Sequence, residues 1–169
     1  MNTLRSLAIA VLLSAAAPAT ALAGPAVMTS QTCPTVTTSD IEAQFAHFSA
    51  AWATFDPDAV VALFTSDPVL LATVSNQPRT TPAGVEDYFA AFLKNKPVAR
   101  IDSSTTEIDC QTASRVGTWT VTLTDPVTAA TREVRARYTF IYRYEDGVWK
   151  IDHLHSSAMP EGAAPSSAH

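Results

Sequence analysis

His153, His155 and Ser157 fall at alternate positions in an extended stretch near the C-terminal end of the sequence. Alternate residues of a strand share one face. Trp149 and Ile151 lie on that same face, while Lys150, Asp152 and Leu154 fall on the other. Charged side chains prefer water, so strict alternation predicts both histidines and Ser157 facing inward behind Trp149 and Ile151. Three polar groups in a row on a core face suggest the polar wall of a cavity. An imidazole with a pKa of about 6.5 can accept a proton near neutral pH. A neighbouring hydroxyl can donate to an oxygen as negative charge develops on it. The plainer alternative is a pair of core histidines bonded to backbone. His-x-His is also a zinc-ligand spacing. The third ligand would have to come from His47, which falls between the apolar positions of a helix, and no carboxylate is obviously placed to serve.

On the preceding strand Arg135 and Arg137 alternate with Val134, Ala136, Tyr138, Phe140 and Tyr142. An arginine inside a pocket would select an anion; on a solvated sheet face it would do nothing of the kind. Arg79, in a polar loop, carries the same ambiguity. Tyr88 sits among helix core residues, and its hydroxyl needs a partner if buried. There is no Gly-x-Ser-x-Gly, no P-loop and no dinucleotide fingerprint. Covalent catalysis on a serine elbow and nucleotide chemistry are therefore excluded as readings.

These residues need a scaffold to hold them. Apolar Ile41, Phe45, Phe48, Trp52 and Phe55 recur at helical spacing, so 40–54 reads as an amphipathic helix, with Ser39–Glu42 as its capping box. Asp56-Pro57 breaks it, and 58–64 reads as a second short helix. Pro68–Ala72 reads as a strand. Thr81-Pro82 starts a third helix with Val85, Tyr88, Phe89, Phe92 and Leu93 on its apolar face. Four strands follow at 101–110, 115–124, 132–144 and 148–157, the last two joined by the tight turn Glu145-Asp146-Gly147. The fold class expected is α+β, with three helices on one face of a strongly curved, mainly antiparallel sheet and a pocket between the layers.

The chain has 169 residues, 47% hydrophobic and 16% charged, with a net charge of −5. This suits one domain, placed at 39–160, and argues against disorder and against nucleic acid as a partner. Leu7–Leu13 behind Arg5, followed by Ala21-Leu22-Ala23, reads as a secretory signal peptide over 1–23. The apolar run is shorter than the roughly 20 residues that span a bilayer. Once it is removed, no membrane association is expected and the protein is periplasmic or secreted. Cys33 and Cys110 are the two cysteines, which in an oxidising compartment reads as one disulfide tying an arm at 24–38 to the middle of the chain. The tail at 161–169 reads as disordered.

The run His153-Leu-His-Ser-Ser-Ala-Met-Pro-Glu161 resembles the His-Ser-Ser-x-Met-Pro-Glu signature of iota-class carbonic anhydrases. Leu70–Asn76 with Arg79, Asp87-Tyr-Phe89, Arg137-Tyr-Thr-Phe140 and Gly147–Ile151 also look like segments of that family. Such proteins look like the association domain of calcium/calmodulin-dependent kinase II, with the cone-shaped fold of the nuclear-transport-factor-2-like superfamily. The family signature often carries three adjacent histidines, and Leu154 holds the middle place here. By strict alternation Leu154 points outward, so the change is expected to be harmless.

The resemblance implies reversible hydration of carbon dioxide to bicarbonate. It carries a His base and hydroxyl donors to His155, Ser157, Tyr88 and Thr73, with Ser75 the alternative to Thr73 in the same loop. Arg137 and His153 would support bicarbonate from behind. A metal-free site is implied, with zinc or manganese on the histidine pair as the alternative. The other reading is a non-enzymatic small-ligand, anion-binding or assembly domain. A homodimer is expected through the apolar face of 132–144, since Tyr138, Phe140 and Tyr142 would otherwise form a large exposed patch.

Overall fold

The computed structural model describes residues 33–160. The proposed signal peptide, residues 24–32 of the arm and the tail from 161 lie outside the described residues. The elements run α1 (Thr38–Ala53), α2 (Pro57–Val61), β1 (Phe64–Leu71), α3 (Pro82–Phe92, with a 3-10 turn Leu93–Asn95), β2 (Val98–Ile108), β3 (Thr112–Thr124), β4 (Thr131–Glu145) and β5 (Val148–Ala158). The strands form one sheet in the order β1-β5-β4-β3-β2. β2 to β5 are an antiparallel meander, and β1 adds to β5 in parallel. The helices pack on one face, giving the expected α+β architecture with a curved mixed sheet.

α1 starts two residues earlier than its sequence suggests. Thr37 is the N-cap and Asp40 completes the capping box by accepting from the Thr37 amide at 2.8 Å. Hydrogen bonds from the Thr37 hydroxyl, at 2.7 Å, and from its amide hold the exposed Asp40 carboxyl below its ordinary pKa. Ser39 and Glu42, expected to do this, do not form the box; a cap of this kind stabilises a helix by about 1 kcal/mol. α1 then buries Ile41, Phe48 and Trp52. The Phe48 ring meets Trp52, Phe64, Phe89 and Phe140 at 4.8–6.5 Å, which joins both α1 and α3 to the sheet.

This packing overturns the expected dimer surface. Ala136, Tyr138, Phe140 and Tyr142 of β4 are all buried within the chain. The apolar row of β4 is the core face, covered by the chain's own helices. Arg135, Arg137, Thr139 and Ile141 therefore point to the opposite, helix-free face of the sheet.

Two β-bulges bend the ladder. In β5, His153 pairs with Ile141 but Ile151 pairs with the next residue, Tyr142, which leaves Asp152 as the extra residue. An extra residue in one strand reverses which side chains face the core. Ile151 and Leu154 are both buried, three positions apart. In β2, Asp102 is squeezed out between Ile101, opposite Trp119, and Ser103, opposite Thr118. Its carboxylate accepts from Thr120 at 2.7 Å. There β3 carries Gly117 because a Cβ would stand 2.0 Å from the Ser103 carbonyl oxygen. The β4–β5 hairpin closes as expected on Asp146 and Gly147, whose φ angles of 50° and 86° suit a tight primed turn.

Candidate functional site

Between helices and sheet lies a pocket of about 30 Å³. That is roughly one water molecule's share of the liquid, so as shaped it admits only a molecule of a few heavy atoms. Its walls are mainly apolar: Trp52 from α1, Phe89 and Phe92 from α3, Leu70 from β1, Trp119 from β3 and Leu154 from β5. Three hydroxyl side chains interrupt them: Thr73, Tyr88 and Ser156.

These hydroxyls are placed by neighbouring elements. Thr73 follows the end of β1, which the β1–β5 pairing carries alongside the end of β5. Its hydroxyl donates to Ser156 Oγ. The indole Nε1–H of Trp119 donates to the same oxygen at 3.1 Å. A serine hydroxyl has two lone pairs and one proton. Both lone pairs of Ser156 are thereby occupied, and its own proton is left for another acceptor. Ser156 is 6% exposed, and the polar cluster is set in an apolar wall.

Tyr88 stacks on Phe92 at 5.4 Å. Burial pushes its phenol well above the ordinary tyrosine pKa, with the Arg79 charge opposing weakly. At neutral pH it is a neutral hydroxyl and not a base. Among the described residues that line this pocket, Tyr88 alone is ionisable.

The remaining expected site residues lie elsewhere. Because Asp152 bulges, His153, His155 and Ser157 emerge on the helix-free face of the sheet, where His155 is exposed. They meet β4 there: Arg137 stands opposite Ser157 and Thr139 opposite His155. Arg137, Thr139, His155 and Ser157 border a shallow depression of about 290 Å³. The inward orientation expected for His153, His155 and Ser157 is thus corrected, and so is the outward orientation of Leu154. Leu154 is 2% exposed and lines the interior pocket. Position 154 is thus a pocket-facing one, and this chain fills it with a side chain that cannot move a proton.

Ser75 and Thr73 also separate. Thr73 lines the interior pocket, while Ser75 accepts from the Gln77 amide at 3.2 Å in a local turn outside it. As for a metal, His153 and His155 share one strand face, but among the described residues no group of three His, Cys, Asp or Glu side chains is placed to hold a metal ion. The residues present do not fit a three-ligand zinc or manganese centre, and His47 is exposed on α1. Asp152, the acid nearest in sequence, is held by Arg143.

Ser156, Trp119 and Leu154 are the pocket residues that alternation missed. The available signal was Leu154 itself, an apolar residue on what strict alternation makes a wet face, two positions after an aspartate that could bulge. The disulfide joins Cys33 to Cys110 as expected, pinning the chain ahead of α1 to the β2–β3 connection.

The SnoaL-like domain family matches residues 45–151. A candidate calcium/calmodulin-dependent protein kinase II association domain from Xanthomonas campestris is 40% identical, covering 78% of this chain and 97% of that one, with a TM-score of 0.70. A nuclear transport factor 2-like superfamily protein from Salmonella enterica superposes with a TM-score of 0.65 at 14% identity over 78% and 96% of the two chains. A candidate dehydratase of the NTF2-like family from Streptomyces avermitilis gives 0.65 at 12% identity over 72% and 95%. The last two likenesses are of fold alone. No curated protein matches the sequence.

Proposed function

Because the chain belongs to the SnoaL-like domain family, we propose that it is an exported small-ligand-binding domain. Its interior pocket takes an apolar molecule of a few heavy atoms that offers one oxygen to a hydrogen bond. Carbon dioxide, the substrate implied by the signature at 153–161, is of this class. The observation that carries the reading is the Ser156 hydroxyl, held by Thr73 and Trp119 and with no acceptor for its own proton among the described residues, in a pocket whose other walls are mainly apolar. Export is supported by the N-terminal apolar run, which reads as a signal peptide, and by the Cys33–Cys110 bond, which suits an oxidising compartment. Among the described residues no helix is long and apolar enough to cross a membrane. A homodimer stays part of this proposal, through a surface other than the buried row of β4.

Hydration of carbon dioxide is the second reading. It is favoured by Ser156, Thr73 and Tyr88, which could donate to oxygens as charge develops. The base it requires is absent from the pocket, where Leu154 stands. His155 would have to draw the proton from the far side of β5. Hydration would then be slow, with general-base loss alone costing about 10²–10⁴-fold.

The test uses ¹³C-labelled carbon dioxide and the purified protein. Saturable broadening of its resonance, removed by Ser156→Ala and by the pocket-filling Leu154→Trp, supports binding. Stopped-flow hydration, with and without chelator, separates the two readings. Binding without turnover favours the first, and chelator-resistant turnover favours the second. Absence of both rejects the pocket assignment.

A further inference from the structure

The helix-free face of the sheet carries an ordered group of donors that the interior pocket does not use. In the β4–β5 ladder Arg137 stands directly opposite Ser157, and Thr139 directly opposite His155. Directly opposite residues put their Cβ atoms about 4.5–5.5 Å apart on one face of a sheet. Alternate residues of one strand share that face roughly 6.5 Å apart. The four side chains therefore rise from the corners of one small rectangle. They border a single depression of about 290 Å³. It is open to solvent, with Arg137 and His155 exposed and Thr139 and Ser157 half-buried.

No carboxylate faces this rectangle. Beside Arg137 on the same face stand Arg135 and Thr139 along β4, Ser157 on β5 and Thr118 on β3. Beside His155 stand His153 and Ser157 along β5, Thr139 on β4 and Leu71 on β1. Other arginines of the sheet are matched by acids. Arg100 meets Asp102 at 2.7 Å, and Arg143 holds Asp67, Glu145 and Asp152. Arg137 has no acidic partner among the described residues. The chain has a net charge of −5, so an arginine left without an acid here is not for want of carboxylates.

The donors indicate the occupant. Each corner can donate: a guanidinium, two hydroxyls and an imidazole. The permanently charged fork of an arginine takes two oxygens of a carboxylate or a phosphate. A carboxylate has only those two, and its carbon substituent would lie against the remaining donors. A tetrahedral oxyanion has further oxygens for the other three corners. We propose that this depression binds a phosphate group, free or at the end of a small monoester, with Arg137 across two oxygens and Ser157, Thr139 and His155 donating to the others. A neighbouring depression of about 280 Å³ shares His155 and Ser157 and runs past Asn76 and Gln77, which gives the body of an ester a polar bed. The proposal is independent of the interior pocket and stands or falls apart from it.

Inorganic phosphate is the probe, titrated at constant ionic strength and followed in ¹H–¹⁵N spectra of the whole protein. The Arg137 Nε–H and the Thr139, His155 and Ser157 amides should shift saturably. Arg137→Gln should weaken phosphate about tenfold or more, the effect of a lost charge-assisted hydrogen bond. Arg137→Lys, which keeps the charge without the fork, should fall between. The Leu154 and Ser156 amides, undisturbed in both variants, report an intact fold. Acetate should bind at least about tenfold more weakly than phosphate, since it leaves three corners unused. Glycerol 3-phosphate distinguishes the sources: tighter binding with an added shift at Asn76 marks an ester as the ligand, equal binding marks the free anion, and either supports the site. No saturable shift with phosphate would overturn the proposal. So would acetate binding as tightly as phosphate, or Lys96→Gln, a change outside the depression, weakening phosphate as much as Arg137→Gln. Either would show only a general attraction for anions.

Discussion

The carboxylate of Asp152, the residue squeezed out of the β4–β5 ladder, is gripped by the Arg143 guanidinium on the neighbouring strand. Arg143 also reaches Glu145 at 2.9 Å and Asp67 at 3.3 Å, so three carboxylates converge on one arginine beside the bulge. Everything C-terminal to Asp152 in β5 owes its facing to that one extra residue.

The charge and the residue count can be separated. Asp152→Ala keeps the count and loses a partly exposed ion pair, so it should cost about 0–1 kcal/mol in denaturant unfolding. Deleting residue 152 removes the bulge and leaves Ile151 and Leu154 two positions apart, still on one face, so it should keep both in the core and likewise cost no more than about 1 kcal/mol. A loss of more than about 2 kcal/mol on deletion would contradict Asp152 as the extra residue of the ladder.

Adjacent serines should behave differently. Ser156→Ala leaves the Trp119 indole and the Thr73 hydroxyl without their acceptor in the pocket, at a cost of about 1–3 kcal/mol, and removes the ligand's donor. Ser157→Ala, on the helix-free face, should stay within about 0.5 kcal/mol of the parent. Thermal melts and carbon dioxide binding on both variants decide it, and a larger effect at Ser157 would reverse the facing described above.

Leu154→His places an imidazole against Ser156 inside the pocket. It should destabilise the fold by about 1–3 kcal/mol, since a polar ring replaces a buried aliphatic side chain. It should also raise the carbon dioxide hydration rate above that of the parent, measured by stopped flow. An unchanged rate would mean that Leu154 does not occupy the place of a base.

Alkaline pH should unfold the protein. Burial raises the pKa of Tyr88, Tyr138 and Tyr142 above the ordinary 10.0, with Arg79 opposing at Tyr88 and Arg115 at the other two. A group whose pKa is raised on folding stabilises fully below its unfolded value, and that stability is lost as pH rises toward the folded value. Stability should therefore fall above about pH 10. The phenolate absorbance of these three rings should appear together with loss of the near-ultraviolet circular dichroism. Full ionisation of all three in a still-folded chain would contradict their burial.

Reduction of Cys33–Cys110 opens a loop with a sequence separation of 77. The chain-entropy relation gives about 4.5 kcal/mol for such a loop, or roughly 10–20 °C in Tm. Carbon dioxide binding below the lowered Tm should be unchanged, because neither cysteine borders the interior pocket.

Local chemistry was enough for much of this protein. The helical spacing of Ile41, Phe45, Phe48 and Trp52, the Thr81-Pro82 start, the Asp146-Gly147 turn and the paired cysteines each depend on neighbouring residues or on composition. All of them stand in the structure as the sequence implies. Thr73 and Tyr88 also came to the interior pocket from the sequence, through resemblance and not through spacing. What only the tertiary structure decided is facing. The side chains of β4 alternate cleanly, yet alternation does not say which of two faces the helices will cover, and the aromatic row predicted to be a dimer surface became the core. In β5 a single bulge at Asp152 shifts the period by one. Leu154 and Ser156 turn inward, and His153, His155 and Ser157 turn out. A strand's period is local, but its phase is set by the register of hydrogen bonds to strands far away in the chain, and a one-residue change in that register exchanges the two faces completely.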